Sequence, residues 1–181
     1  MEENNSKANG ESFIKTFLKY AAATAVFIFI IPTVFMYLML FKTWHIFTEK
    51  RIETLEAIFQ TDFPDGTDFI KYMRINGMDG GADWLYITGI SDPEDFCRSC
   101  VNIPIEFMLD IKNSNVIEYG DYSEDDAAYK IKYFSNEKTR WNNGERYTDF
   151  FCIFQSEGYR GMSLYFSKNN DGGYDAKFEI Q

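Results

Sequence analysis

Histidine is almost absent from this chain, and its scarcity excludes two common catalytic mechanisms. His45 is the only histidine among 181 residues, and it lies beside an apolar segment near the N-terminus. A Ser-His-Asp or Cys-His mechanism needs a histidine base within the folded domain. A zinc site needs about four ligands from Cys, His or carboxylate side chains. We therefore predict no catalytic residues, no metal site and no cofactor.

Clusters of basic residues are also lacking. The formal net charge is −10, and from Thr43 onward 14 Lys and Arg stand against 25 Asp and Glu, which gives this part a charge of −11. A nucleic-acid surface needs clustered cations that replace the counterions of the phosphates, so we predict no nucleic-acid partner. An acidic surface of this kind either meets a basic protein or keeps the domain soluble.

Charged residues are missing from one long segment, positions 20–41. Its length matches the roughly 20 apolar residues that a helix needs to cross a bilayer. Tyr20 and Trp44 lie where aromatic side chains favour the headgroup region, Phe41 ends the segment, and Pro32 in its middle favours a kink. No small-x-small cleavage site follows, as a signal peptide would need. We therefore predict an uncleaved transmembrane helix over 15–42.

Such a helix makes the chain a single-pass membrane protein with a signal anchor, and the lipid bilayer its first partner. The membrane is the plasma (inner) membrane if the organism is bacterial. A short N-terminal tail, few basic residues in 62–95 and the cysteine usage favour an extracytoplasmic C-terminal domain. The other interpretations are the opposite orientation and a buried core helix, for which the remaining chain is too short.

The rest of the chain divides by composition into three parts. Residues 1–14 are polar and predict a disordered tail. Residues 43–61 predict a juxtamembrane amphipathic helix, because they carry an apolar stripe at helical spacing, formed by Ile52, Leu55, Ile58 and Phe59. Residues 62–181 suffice for one hydrophobic core and predict a soluble acidic domain. The stripe packs on this domain, on lipid, or on a second copy in a homo-oligomer.

Alternating apolar residues and glycine turns in 62–181 predict an α+β domain. Glycines at 78–83 predict a hairpin, and Ser-Asp-Pro at 91–93 predicts the start of a helix over 93–101. Residues 104–111 are predicted to form a second helical piece. The predicted strands cover 69–75, 84–90, 129–133, 147–154, 161–166 and 174–180. This order indicates a mainly antiparallel sheet with one or two helices.

The three cysteines allow several interpretations. Cys97 and Cys100 form a CxxC sequence, which in thiol oxidoreductases lies at a helix N-terminus where a thiol pKa is lowered. Here the predicted helix starts near position 93, so Cys97 lies more than a turn inside it, and no parallel βαβ unit is evident. A structural disulfide of Cys152 with either Cys97 or Cys100 fits an exported domain. Three buried, reduced cysteines are the remaining interpretation.

Two polar segments are candidate interaction surfaces. Arg140 and Trp141 stand side by side in a polar loop, and these residue types are common in binding hot spots. Alternatively, Trp141 folds back over the sheet edge. An acidic cluster comprises Asp121, Glu124, Asp125 and Asp126. It is a candidate for calcium, for acid–base chemistry or for a basic partner, but a solvated loop in which Ser123 caps a short helix also explains it.

These features together predict a non-catalytic, membrane-anchored protein that binds another protein. An envelope-complex component and an immunity-like inhibitor of a basic toxin are two forms of this function, and the second rests only on size and charge. One alternative is a membrane-tethered thiol-disulfide enzyme that uses Cys97 and Cys100. The other is a structural protein that self-associates through the helix over 43–61.

Overall fold

A computed structural model describes residues 15–77, 80–155 and 161–180 of the chain. The chain divides into two compact units, Met1–Phe41 and Lys42–Gln181. The tail predicted over 1–14 lies outside the described residues, as do positions 78–79 of the predicted glycine hairpin. The first unit contains the long apolar segment, and the second contains the globular fold.

The described part of the first unit is one long apolar helix, α1 (Lys15–Leu38). Its most apolar stretch has a mean hydropathy of 2.2, and none of that stretch is buried. By length and composition α1 is able to span a membrane, a property that a signal sequence shares.

A widened turn lies in the middle of α1, immediately before Pro32. The segment Val26–Ile30 is π-helical, so its hydrogen bonds join residues five apart rather than four. Proline lacks an N–H, and its ring clashes with the carbonyl four residues earlier, so the helix must widen or bend near it. Thr33 Oγ1 donates a hydrogen bond to the carbonyl oxygen of Phe29 at 2.5 Å, which gives one backbone group of this turn a partner.

The second unit is built on a large, mainly antiparallel sheet and a separate hairpin. The strands of the large sheet are β1 (Phe41–Trp44), β2 (Asp68–Gly77), β3 (Gly80–Ile90), β4 (Ile105–Asp110), β5 (Asn115–Tyr119), β8 (Phe150–Phe154), β9 (Met162–Lys168) and β10 (Tyr174–Ile180). The hairpin strands are β6 (Lys138–Trp141) and β7 (Gly144–Tyr147). The eight strands lie in the order β1-β2-β3-β10-β9-β8-β4-β5, and the pairings from β2 to β5 are antiparallel.

Helices cover both faces of this sheet. Those described in the second unit are α2 (Glu49–Phe59), α3 (Pro93–Ser99) and α4 (Glu124–Asn136). The side chains on one face of the sheet form the main core together with α2 and α3. The side chains that alternate with them face α4 and form a second, smaller core. The predicted α+β class with a mainly antiparallel sheet is therefore confirmed.

The main core is rich in aromatic rings. Phe178 of β10 packs edge-on against Phe59 of α2 and Phe96 of α3, with ring centroids 5.3 and 6.0 Å apart. Leu55 and Phe59 of α2 are fully buried. The stripe predicted over 43–61 therefore packs on the globular fold, and α2 belongs to the same body as the sheet.

The prediction of a helical piece over 104–111 is wrong, because β4 (Ile105–Asp110) occupies this stretch. β4 lies between β8 and β5, and both of its faces are covered. Met108 enters the main core, whereas Phe107 and Leu109 enter the second core. A strand that is buried on both faces lacks polar–apolar alternation, so its sequence resembles that of a buried helix.

The prediction of a strand over 129–133 is also wrong, because α4 (Glu124–Asn136) covers it. These five residues alternate as in a strand, but Tyr129 and Tyr133 are also i,i+4 neighbours on a helix. The predicted cap at Ser123 is confirmed, since its hydroxyl accepts a hydrogen bond from the N–H of Asp126. The Asp126 carboxylate in turn accepts one from the Ser123 N–H, which completes a capping box.

Most other predicted elements are confirmed. The strands predicted over 69–75, 84–90, 161–166 and 174–180 correspond to β2, β3, β9 and β10, and the helix over 93–101 corresponds to the shorter α3. The strand predicted over 147–154 is divided, because β7 ends at Tyr147 and β8 begins at Phe150. Thr148 and Asp149 connect the hairpin to the large sheet.

Candidate functional site

A groove lies beside α4 on the face of the sheet opposite the main core. Its cavity measures about 520 Å³, which lies in the range of ligand pockets. One wall is formed by α4, the floor by β8, β9 and β10, and the hairpin strand β6 contributes Lys138 and Thr139. We call this cavity the α4 groove, and its principal lining residues are Tyr129, Tyr133, Phe151, Tyr165, Lys177 and Glu179.

An ion pair lies on the floor of the α4 groove. Lys177 Nζ is 2.8 Å from Glu179 Oε2, and the two side chains are only 11% and 12% exposed. The ammonium also lies 5.0 Å from the ring centroid of Tyr165. Side chains alternate between the two faces of a strand, and in β10 Ala176 and Phe178 point into the main core. Lys177 and Glu179 therefore face the groove. A charge pair so shielded from water acts more strongly on a bound polar group than an exposed pair does.

Tyrosines supply much of the contact surface of the groove. Tyr129 and Tyr133 are 64% and 47% exposed, and their rings stack with centroids 6.3 Å apart. On the floor, burial raises the pKa of Tyr165 to about 12, with a smaller contribution from the charge of Glu179. The Tyr165 phenol is therefore protonated at neutral pH and able to donate a hydrogen bond. Tyrosine combines a rigid apolar ring with a polar group, which suits it to binding surfaces.

The structure separates the two residues of the predicted Arg140–Trp141 surface. Arg140 is exposed, whereas Trp141 is only 4% exposed. The Trp141 ring lies against the guanidinium of Arg146, whose carbon is 4.6 Å from the ring centroid. A cavity of about 130 Å³ beside them is also lined by Tyr86 of β3 and Asp175 of β10. Trp141 thus covers the sheet and is not an exposed contact.

Asp175 joins the hairpin to the large sheet. Its carboxylate accepts hydrogen bonds from Arg146 Nη1 at 2.6 Å, Thr88 Oγ1 at 2.6 Å and Asn169 Nδ2 at 3.3 Å. Burial by itself would raise the pKa of this carboxyl, but the three hydrogen bonds outweigh it and hold the pKa below its ordinary value of 3.8. Because Arg146 belongs to β7 and Asp175 to β10, this contact fixes the hairpin on the sheet.

The acidic cluster lies at the start of α4, whose first turn contains Glu124, Asp125 and Asp126. Negative charge is favourable there because the helix dipole is positive at this end. Hydrogen bonds from the side chain and backbone of Ser123 lower the pKa of Asp126, and Glu124 accepts one from the Tyr119 hydroxyl at 3.2 Å. Asp121 is exposed before the helix. Among the described residues, no group of three or more His, Cys, Asp or Glu is placed to hold a metal ion.

All three cysteines carry free thiols in this structure. Cys97 of α3 and Cys152 of β8 are 1% and 0% exposed, and their thiols contact each other in the main core. Cys100 follows the end of α3 and is half-buried, with its Sγ 3.5 Å from Ser99 Oγ. Cys97 is therefore shielded from solvent, and Cys100 is the more accessible thiol of the CxxC pair.

The residues predicted to anchor the chain in a membrane belong to both units. Tyr20 and Pro32 lie in α1, and the Tyr20 side chain is exposed. Phe41 ends the first unit. In the second unit, Lys42 Nζ lies 4.4 Å from the ring centroid of Trp44. The Trp44 ring also packs on Tyr72 of β2, with ring centroids 4.8 Å apart, so the globular fold covers part of this predicted anchor residue.

These features define a class rather than a family: an α+β protein with a groove beside α4 and an apolar helix near its N-terminus. Comparison of the chain with protein-family models, with curated proteins and with solved structures finds no match.

Proposed function

We propose that this chain is a membrane-anchored, non-catalytic protein that binds a segment of a partner protein in the α4 groove. The supporting observation is the pair of exposed, stacked rings of Tyr129 and Tyr133 beside the shielded Lys177–Glu179 ion pair. The rings supply apolar contact area, while the ion pair and the Tyr165 hydroxyl supply the few polar groups that orient a bound segment.

The charge of the globular part supports a basic partner. From Thr43 onward the chain carries −11 (14 Lys and Arg against 25 Asp and Glu), and such a field speeds the encounter with a positively charged protein. The groove rim is mixed in sign, because Lys130 and Lys138 stand with Glu137. The preference therefore comes from the whole domain, while the tyrosine rings accept Lys or Arg side chains locally. An envelope-complex component and an immunity-like inhibitor both fit this description.

The two alternative functions have less support. A thiol enzyme that uses the CxxC pair needs both thiols during turnover, but Cys97 is 1% exposed and only Cys100 is partly accessible. Self-association through the helix over 43–61 would need its apolar stripe to be free, but Leu55 and Phe59 are fully buried.

The proposal includes α1 as a single-pass anchor within 15–42, with α2 and 62–181 on the extracytoplasmic side, and the plasma (inner) membrane as the site if the organism is bacterial. Its support is the length and apolar composition of α1. The mass of the mature chain tests whether the helix is cleaved. Labelling of an Asn170→Cys variant by a membrane-impermeant thiol reagent tests sidedness, since position 170 is exposed. Labelling only after lysis would place the domain in the cytoplasm.

Replacing Tyr133 with alanine is expected to weaken partner binding at least about tenfold, which corresponds to roughly 1.4 kcal/mol. The substitution removes one of the two stacked rings at the groove rim. The partner is first identified with a photo-crosslinking amino acid at position 133, and its affinity for the full chain in detergent is then measured by titration.

Tyr119→Ala is the matched control, because Tyr119 is 42% exposed and lies on the edge strand β5, outside the groove lining. It should leave the affinity unchanged, and both variants should unfold at the same denaturant concentration as the unmodified chain. If both variants lost the same affinity for the partner, or if Tyr133→Ala kept the affinity of the unmodified chain, binding in the α4 groove would be contradicted.

A further inference from the structure

Side chains of helix α3 contact strands from β9 to β5 on the main-core side of the sheet. Its Arg98 Nη1 forms an ion pair with Glu118 of β5 at 3.0 Å, and its Phe96 packs on Phe166 of β9 with ring centroids 6.1 Å apart. In the sheet, β4 and β8 lie between β5 and β9. Cys97, the sequence neighbour of both residues, is buried in the same core cluster as Met108 of β4 and Cys152 of β8.

Cys152 is the residue of β8 that meets Cys97. In the sheet, Cys152 pairs with Met108 of β4, and Met108 pairs with Glu118 of β5. Cys152 therefore lies in the same row of residues as Glu118, the ion-pair partner of Arg98. Cys97 and Cys152 are almost fully buried and belong to the same core cluster. Adjacent thiols on a helix and a strand meet the first requirement for a disulfide, and the structure contains their reduced form.

We propose that Cys97 and Cys152 form a core disulfide, and that Cys100 is the thiol through which an external disulfide oxidises them. Cys100 is half-buried, whereas the other two thiols are closed to solvent, so only Cys100 offers a surface for the first reaction. The inference does not depend on the α4 groove or its partner, because the cysteines lie on the opposite face of the sheet.

The oxidation consists of three thiol–disulfide exchanges. The Cys100 thiolate attacks a small external disulfide R–S–S–R, forms Cys100–S–S–R and releases R–S⁻. The Cys97 thiol attacks the Cys100 sulfur, forms the Cys97–Cys100 disulfide and releases the second R–SH. The Cys152 thiol then attacks the Cys97 sulfur, and its proton passes to the departing Cys100 sulfur. The external disulfide is thus reduced to two thiols while two protein thiols are oxidised to one disulfide.

The positions of the thiols fit the last two steps. Cys97 and Cys100 are three residues apart, and residues with this spacing are neighbours on a helix surface. Cys97 also shares the main core with Cys152, so its sulfur is the one placed between the other two. Cys152 is 0% exposed, so its direct reaction with an external disulfide is disfavoured by access.

The test uses the reduced full chain in detergent, exposed to glutathione disulfide, quenched with acid, alkylated and mapped by peptide mass spectrometry. The expected end product links Cys97 to Cys152 and leaves Cys100 open to alkylation. It should also melt several degrees above the reduced chain, and added reductant should abolish this difference. A chain that stays reduced, or one in which the Cys97–Cys100 link is the final product, would overturn the pairing.

Two variants test the route. Cys100→Ser is expected to slow formation of the core disulfide at least about tenfold, because only the accessible thiol has been removed. Ser135→Ala is the control, because Ser135 is exposed on α4 at the opposite face of the sheet, and it should react at the unmodified rate. Cys97→Ser should stop at a mixed disulfide between Cys100 and glutathione. Two results would overturn the role of Cys100. One is formation of the core disulfide in Cys100→Ser at the unmodified rate, and the other is faster disulfide formation in the unmodified chain at low urea concentration. Either result would show that the buried pair reacts through unfolding.

Discussion

Replacing Leu55 with alanine is expected to lower the free energy of unfolding of the globular unit by about 3 kcal/mol. Leu55 is fully buried in the main core, next to Phe59 of the same helix. The substitution removes three carbon atoms from a packed site, and the surrounding side chains relax only in part, so a cavity remains. The measurement is denaturant unfolding of the full chain in detergent, followed by tryptophan fluorescence.

Glu53→Ala is the matched control, because Glu53 lies on the same helix and is exposed. It should change the free energy of unfolding by less than about 0.5 kcal/mol. The comparison also separates two roles for α2. If α2 instead served as a free self-associating stalk, Leu55→Ala would dissociate an oligomer and leave the unfolding of the globular unit unchanged.

The sequence predicted those elements whose two faces differ in polarity. In β10, Ala176 and Phe178 alternate with Asp175, Lys177 and Glu179, and the strand lies where the alternation predicted it. The start of α3 was equally predictable, since Asp92 accepts hydrogen bonds from the N–H groups of Glu94 and Asp95. In such cases the local pattern and the tertiary environment agree, so the sequence alone is sufficient.

The α4 groove was not predictable, because its parts were assigned to other elements or to solvent. Tyr129 and Tyr133 were interpreted as one face of a strand, although an i,i+4 spacing after a capping box at Ser123 indicates a helix. The alternation of β10 correctly predicted a polar face, but not that Lys177 and Glu179 would be shielded beneath α4. That shielding depends on where a distant helix packs.

The position of Cys97 relative to Cys152 and the environment of Trp141 could not be predicted from the sequence for the same reason. Cys97 and Cys152 share a core only because α3 packs on the face of the sheet to which Cys152 points, and a strand order of β10-β9-β8-β4 cannot be derived from spacing along the chain. For Trp141 the sequence left two interpretations open, an exposed contact and a ring folded back over the sheet, and in the structure the ring is covered through contact with Arg146. Loops that fold back over a sheet are fixed by contacts between residues far apart in sequence.

Replacing Asp175 with alanine is expected to lower the free energy of unfolding by about 2–3 kcal/mol, because it removes the shared acceptor of three donors. Arg146 and Asp175 have side chains only 28% and 19% exposed, so water replaces the lost hydrogen bonds poorly. Asp171→Ala is the control, since Asp171 is exposed and its substitution should change stability by less than about 0.5 kcal/mol.

The contribution of Asp175 should also depend on pH, in a direction set by its pKa. In the folded chain this pKa lies below the ordinary value of 3.8, so the ionised form stabilises the fold. That stabilisation is fully present above the unfolded pKa and is lost as the pH falls through the lower, folded pKa. The difference in unfolding free energy between the unmodified chain and Asp175→Asn should therefore be constant near neutral pH and shrink below about pH 4. A difference that grew on acidification would contradict the assigned hydrogen bonds.

Asp175→Ala should also affect binding in the α4 groove, although Asp175 is not one of the groove-lining residues. Arg146 belongs to β7, which pairs with β6, and β6 contributes Lys138 and Thr139 to the groove. Loss of the Arg146–Asp175 contact loosens the hairpin and with it that part of the wall. Asp175→Ala is therefore expected to weaken partner binding by a smaller factor than Tyr133→Ala, together with a change in Trp141 fluorescence. Unchanged binding beside a clear change in fluorescence would mean that the hairpin wall does not contribute to the bound state.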